Sequence, residues 1–336
     1  MEQETIASGT PAEGAGSRAV YVKTPLLMPR YEDGTADVDT LGRLADHVRG
    51  GGISSFVLHG TTGEALGATY EERLQVIDRI GNLRRPGEQW IYGAGVDDLQ
   101  DTVTFSKHAI SRGADAVLIV TPDFWQKGNY RDPEMFGKYY KGVLESNHPV
   151  YMYQSPGKDS LTPGFVAGMA KRHPNLMGLK SGNLPMLLAT REMMEAPDIE
   201  RPFEFSCGDD RYILEAALQG MGATSGWSNC FPRAIRYIAE QARGDYQGAG
   251  VIQNALDMLI LWAEEAGRGV DGLNPVSWQK AVFNSGYVAP GGLSLNMGKT
   301  ICYGGVPESL MPEIGGEAGD FLETARIAMG NRRIKL

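Results

Sequence analysis

Residues 54–121 read SSFVLHGTTGEALGATYEERLQVIDRIGNLRRPGEQWIYGAGVDDLQDTVTFSKHAISRGADAVLIVT. Three short runs in this stretch, SSFVLHG (54–60), QWIYGAG (89–95) and AVLIVT (116–121), are apolar and rich in β-branched residues and read as strands. Between them, YEERLQVIDRIGNLR and LQDTVTFSKHAISRG carry apolar residues at helical spacing. Nearly continuous apolar strands joined by amphipathic helices predict a parallel sheet covered by helices.

The same alternation extends in both directions. Upstream lies AVYV (19–22); downstream lie PVYMYQ (149–154), NLMGLK (175–180), FEFSCG (203–208) and ATSGWS (223–228). The helical stretches VDTLGRLADHVRG, PEMFGKYYKGVLES and PGFVAGMAKRHP fall between them, and an eighth helix is expected from near Phe231. Eight such units predict a TIM (β/α)8 barrel, an architecture that typically takes about 250 residues. Residues 19–245 are assigned to it. An open doubly wound sheet is the competing architecture, but the first run leads into KTPLLMPRYEDG with no GxGxxG. Residues 1–18 are small, polar and turn-rich and are expected to form a disordered or loosely attached tail. Residues 246–336 hold three further helical stretches (QGAGVIQNALDMLILWAEEA, VSWQKAVFNSG, EAGDFLETARIAMG) and no strand signal, which predicts a C-terminal helical extension.

Composition narrows the partners. With 32 Lys+Arg against 41 Asp+Glu, the 336-residue chain carries a formal charge of −9. That balance lacks the basic footprint of a nucleic-acid or anionic-membrane binder. No stretch approaches the ~18 uninterrupted apolar residues of a membrane span, and the first residues have no signal-peptide pattern. Cys207, Cys230 and Cys302 are odd in number and form no CxxC, which argues against a disulfide framework or structural zinc and suits a cytoplasmic, reducing setting. Of the 44 glycines, Gly60, Gly63, Gly93, Gly95, Gly157, Gly182, Gly208 and Gly226 fall where strands turn into loops.

In a barrel the active site lies at the C-terminal ends of the strands. Lys180 ends an apolar strand, where burial would disfavour its charge and suit it to attack a carbonyl as a Schiff-base nucleophile. A lysine that reaches from a strand end to solvent is the alternative. Tyr153, at the end of the preceding strand, could carry protons to and from the adduct, or could be a core tyrosine. Gly60-Thr61-Thr62-Gly63-Glu64 places two hydroxyls and approachable backbone N–H groups before a helix, which suits a carboxylate-sized anion. The five histidines show no HxH or HxxxH pairing. His59 precedes GTTGE on an apolar strand and reads as a satisfied core histidine or a supporting group. Asp209-Asp210 could hold Mg²⁺ but reads better as a helix cap. No metal site and no separate cofactor are expected, the covalent imine on Lys180 doing the work.

The combination of GTTGE, TYEER and the strand-six lysine resembles the dihydrodipicolinate synthase/N-acetylneuraminate lyase superfamily of pyruvate-dependent class I aldolases. The likeness runs from about residue 20 to 245, through GADAVLIVTP, PVYMYQSPG, NLMGLKSGN and CGDDRYILEAALQGMGATSGWSN. It implies that Lys180 forms the Schiff base, that Tyr153 transfers protons, and that Thr61 and Thr62 bind the keto-acid carboxylate, with Thr61 also in the proton relay. Gly208 would lie against the substrate through its backbone, and Gly60 and Thr224 would complete the substrate contacts. A homo-oligomer, a dimer of dimers, is implied as well. Three departures stand out. Asp123-Phe124-Trp125 lacks a tyrosine that family synthases send across a dimer interface. Lys158 stands where they carry an arginine for the second substrate's carboxylate. KSGN is shorter than the usual segment after the lysine.

The expected activity is a Schiff-base lyase or aldolase acting on pyruvate or a longer 2-oxo acid, with an aldehyde as a candidate acceptor. Aldol, retro-aldol and dehydratase directions stay open. Two alternatives stand beside it: a keto-acid-binding sensor or interaction protein on the same barrel, and an authentic 4-hydroxy-tetrahydrodipicolinate synthase.

Overall fold

Eight strands hydrogen-bond in chain order and close on themselves as an all-parallel barrel. They are β1 (Val22–Pro25), β2 (Ser55–Leu58), β3 (Gln89–Gly93), β4 (Ala116–Val120), β5 (Val150–Gln154), β6 (Leu176–Ser181), β7 (Glu204–Cys207) and β8 (Gly222–Thr224). The computed structural model describes residues 21–122, 133–155, 161–195, 201–285, 295–298, 300 and 304–330. The tail, Asp123, Phe124, Trp125 and Lys158 therefore lie outside the described residues.

A helix separates each strand from the next: α1 (Val38–Gly50), α2 (Tyr70–Leu83), α3 (Leu99–Ser111), α4 (Pro133–Leu144), α5 (Pro163–Arg172), α6 (Leu184–Met194) and α7 (Ile213–Leu218). Local chemistry sets several of their starts. Asp37, Asp98, Thr162 and Asn183 each accept a backbone N–H from the first turn, which satisfies donors that a helix N-terminus leaves open. In α1, Leu41, Leu44, Ala45 and Val48 are buried at a spacing that turns one face onto the barrel. After β8 the chain continues as α8 (Pro232–Gln241), α9 (Tyr246–Ala266), α10 (Pro275–Asn284) and α11 (Met311–Ala328).

Two strands fall elsewhere than the apolar runs suggest. The first starts at Val22, just where AVYV ends, because it includes Lys23, whose ammonium is buried against the Glu204 carboxylate. A lysine without a visible partner reads as the end of a strand. The eighth ends at Thr224, and the rest of ATSGWS turns into a short 3₁₀ segment, Trp227–Asn229. Asn229 fixes that turn: its side chain donates to the Pro25 carbonyl at 2.8 Å and accepts from the Leu27 N–H at 3.1 Å. The last helix also begins at Met311, ahead of EAGDFLETARIAMG, with Ile314 buried.

The barrel interior is layered. At its N-terminal end the odd-numbered strands contribute Lys23, Gln89, Tyr151 and Glu204. The Tyr151 hydroxyl donates to Glu204 at 2.8 Å and Gln89 donates to Tyr151 at 3.4 Å. Four side chains from alternate strands are the usual composition of one barrel layer; this one is polar. Val57, Ile91, Leu118 and Tyr153 cluster in the apolar interior above it, leaving the C-terminal mouth as the place for chemistry.

Candidate active site

Register places the central residues side by side. Tyr153 on β5 pairs with Lys180 on β6, and Lys180 pairs with Ser206 on β7. Neighbours in parallel register share a face, so all three point into the barrel near its mouth. Lys180 is only 7% exposed, and its Nζ lies 4.1 Å from the centroid of the Tyr153 ring, over the ring face. Gly208, just past β7, lies against the lysine stem: a Cβ there would stand 3.0 Å from Lys180 Cε. A side chain there would make the lysine stem give way by a few tenths of an ångström.

The hydroxyl-bearing loop closes the opposite side. His59, Gly60 and Thr61 line a cavity of about 70 Å³ together with Gly93, Leu118, Tyr153 and Ser155. The structure thus brings Thr61 and Tyr153 to one cavity wall. Thr62 is the next residue of the turn and is half-buried. Thr224 is buried in β8, with its hydroxyl 2.7 Å from that of Ser206. Lys158 falls outside the described residues. A second cavity, of about 540 Å³, opens over the ends of β5, β6 and β7, where Gln154, Ser155, Ser181, Asn183, Asp209 and Tyr212 line it.

The two adjacent aspartates divide their roles. Asp209 caps the short turn that follows it, accepting the Arg211 N–H at 3.1 Å, as a capping residue should. Asp210 instead accepts a short hydrogen bond from Ser225 Oγ. Burial pushes the Asp210 carboxyl up to about 6, with the hydrogen bond from Ser225 and the Lys180 ammonium pulling the other way. Among the described residues no group of three or more His, Cys, Asp or Glu is arranged to hold a metal ion.

Sequence reading missed several groups. Ser206 and Ser225 escape a reading of the sequence because FEFSCG and ATSGWS both read as apolar strands; alternation along β7 places Ser206 inward, a signal the sequence does carry. Glu64, the last residue of GTTGE, is wholly buried. It takes Lys280 Nζ at 2.7 Å and Arg30 Nε at 3.3 Å. Lys280 lies on α10, and nothing local links it to the loop. His59 is buried, as expected of a core histidine. Its Nδ1 lies 2.7 Å from the Tyr92 hydroxyl, while Nε2 has no hydrogen-bond partner among the described residues.

A closed parallel barrel with a buried lysine at its mouth, beside a phenol and a hydroxyl-bearing turn, has the architecture of a Schiff-base aldolase. The dihydrodipicolinate synthetase family model matches residues 20–271, and the chain belongs to that family, within the pyruvate-dependent class I aldolases. The 4-hydroxy-tetrahydrodipicolinate synthase of Xylella fastidiosa (strain Temecula1) is 34% identical over 244 residues, covering 69% of this chain and 76% of that protein. The enzyme of the same description from Gluconobacter oxydans (strain 621H) is 30% identical over 247 residues, 70% of this chain and 78% of that one. Among solved structures, the chloride-inhibited dihydrodipicolinate synthase of Acinetobacter baumannii, complexed with pyruvate, matches with a TM-score of 0.72 at 25% identity. It covers 92% of this chain and 99% of that one. A prophage protein of the same family from E. coli K12, YagE, shares the fold with a TM-score of 0.77 at 20% identity, over 90% and 98% of the two chains. The protein is an enzyme of the lyase/aldolase type that works through a lysine imine on a 2-oxo acid. No helix of the described residues is long and apolar enough to cross a membrane.

Proposed function

We propose that Lys180 is the imine-forming lysine and that pyruvate, or a longer 2-oxo acid, is its partner. The observation that carries this is the side-by-side burial of Lys180 and Tyr153 at the barrel mouth, 4.1 Å from ammonium to ring centroid. Neutral Lys180 attacks the ketone carbon, and loss of water from the carbinolamine gives the protonated imine. Tyr153 carries the protons of that dehydration, with Thr61 polarising its hydroxyl. Thr62 and the N–H groups of the Gly60–Gly63 turn hold the carboxylate, and Gly208 offers its backbone to the substrate. Gly60 and Thr224 complete the contacts. The imine is an electron sink, so C3 can lose a proton or a carbon–carbon bond can break to give an enamine.

The cavity over β5–β7 is the space for the rest of a longer substrate or for an aldehyde acceptor, and Lys158, by the family likeness alone, is assigned to an acceptor carboxylate. The pyruvate bound by the Acinetobacter enzyme supports the donor assignment. The similarity to 4-hydroxy-tetrahydrodipicolinate synthases supports a second reading, in which the acceptor is a small amino aldehyde. We assign residues 19–245 to the catalytic barrel and 246–336 to the helical extension. A dimer of dimers in a reducing cytoplasm completes the proposal, in keeping with free, buried Cys207 and Cys230.

Reduction with borohydride in the presence of pyruvate, followed by digestion, tests the assignment: a reduced adduct on Lys180 is expected. No adduct with pyruvate or larger 2-oxo acids would overturn it. An adduct without turnover across a panel of aldehydes and hydroxy-keto acids would instead support a binding protein.

A further inference from the structure

The turn that carries Thr61 and Thr62 is bracketed by two residues in left-handed backbone conformation, His59 with φ 49° and Glu64 with φ 56°. Side chains rarely adopt this region, and where they do the surroundings must hold them there. Within the bracket the turn closes on itself: the Glu64 N–H donates to the Thr61 carbonyl at 3.0 Å and the Ala65 N–H to that of Gly60 at 3.3 Å.

Each bracketing side chain leaves the turn and is fastened elsewhere. His59 is 1% exposed, and its ring meets the Tyr92 hydroxyl, which in turn donates to the Arg73 carbonyl at 3.3 Å. His59 Nδ1 and that hydroxyl are hydrogen-bonded at 2.7 Å, with the histidine tautomer setting which of the two donates. The His59 carbonyl packs so closely on β3 that a Cβ at Gly93 would fall 2.0 Å from it. Glu64 is fastened by Lys280, 2% exposed and 216 positions later in the chain. Arg30 bridges onward from Glu64 to Glu72, reached by two guanidinium nitrogens at 3.0 Å each. A buried ion pair gains little net stability, because desolvation offsets the attraction. Fixing geometry is then the better account of why Lys280 and Glu64 are buried together.

We propose that His59 and Glu64 are positioning residues for the carboxylate-receiving turn, locked by Tyr92 and by Lys280, so that α10 of the C-terminal region sets the affinity for the 2-oxo acid. This rests on the roles assigned above to Lys180, Thr61 and Thr62. The probe is pyruvate, and the readouts are its half-saturating concentration and the saturated rate in borohydride trapping on Lys180, measured beside Tm.

Lys280→Met and Tyr92→Phe should each raise the half-saturating concentration about tenfold while changing the saturated rate less than about threefold, the signature of lost ground-state binding. Glu64→Gln combined with Lys280→Gln replaces the ion pair by a neutral hydrogen-bonded pair and should recover most of the affinity. A folded Lys280→Met or Tyr92→Phe protein with unchanged half-saturation, whatever its Tm, would overturn the inference. So would a loss confined to the saturated rate. If Lys280→Met does not fold, Tyr92→Phe and the Gln–Gln pair decide by the same criteria. Absence of any adduct in the wild-type protein would remove the Lys180 assignment, and this inference with it. A wild-type adduct with unaffected variants removes the inference alone.

Discussion

Lys180 and Tyr153 occupy registered positions on adjacent parallel strands, so no loop motion is needed to bring them together. Lys180→Ala should abolish borohydride trapping of pyruvate while leaving far-ultraviolet circular dichroism unchanged. Tyr153→Phe keeps the ring beneath the ammonium and removes only the hydroxyl proposed to carry protons. Turnover should fall roughly 100-fold, the scale of one general acid–base group, while some imine still forms. Asp210 adds a pH signature. Its carboxyl, raised by burial to about 6 and interacting with the Lys180 ammonium, becomes anionic as the pH passes that value. An anionic Asp210 stabilises a cation on Lys180, ammonium and iminium alike, so the pH profile of imine trapping should carry a limb centred near pH 6. Asp210→Asn should flatten that limb, and a pH profile of trapping that is the same in both proteins would refute the assignment. At this scale Lys180 and Tyr153 were legible because each ends an apolar strand. Asp210 was not, because its neighbour Ser225 is 15 residues away and the two meet only when β7 and β8 pair.

Strands explain more of the molecule than single residues do. The odd-numbered strands place Lys23, Gln89, Tyr151 and Glu204 in one layer at the end of the barrel opposite the mouth. Burial disfavours the Lys23 ammonium, which lies against the Glu204 carboxylate. Lys23→Met leaves Glu204 beside an apolar side chain and should destabilise the fold by about 3 kcal/mol, the lower end for breaking a buried pair. Denaturant unfolding would measure it. Pyruvate trapping should be unaffected, since this layer and the turn at Thr61 lie at opposite ends of the strands. The helices were the most legible elements, because their faces and caps are local; α1 has its cap at Asp37 and its buried face written in sequence. The edges of β1 and β8 were not: Lys23 looks like a terminator until Glu204 arrives from 181 positions away.

The whole molecule responds to pH through groups that no single element controls. Burial, reinforced by Arg73 and Arg30, holds the His59 pKa down to about 3 from its ordinary 6.5. Between those values the unfolded chain binds a proton that the native protein refuses, so stability falls as the pH drops through that window. The full effect is on the order of 5 kcal/mol. Asp210, raised from 3.8 to about 6, works in the opposite sense: the native state binds the extra proton, so this group adds stability as the pH falls through 6. The wider His59 window should dominate between pH 6.5 and 3. Chemical denaturation across that range should give a shallower slope for His59→Asn, an Asn being tolerant of the left-handed backbone at this position. An unchanged slope would show that His59 is not the responsible group.

By itself the sequence determined the architecture and the chemistry at its centre. Period and length of the apolar runs require a parallel barrel covered by helices, and the rule that barrel chemistry sits at strand ends turns Lys180, Tyr153 and GTTGE into a candidate site. Both readings depend on neighbours along the chain, which a sequence displays directly. Only the tertiary structure decided what holds that site in place. Lys280 reaching Glu64, Tyr92 meeting His59, and Glu204 burying Lys23 join residues far apart in sequence. Their partners are chosen by which strands and helices the closed barrel brings together, because the cost of burying a charge or a ring nitrogen is met only once the opposite group has been folded into contact.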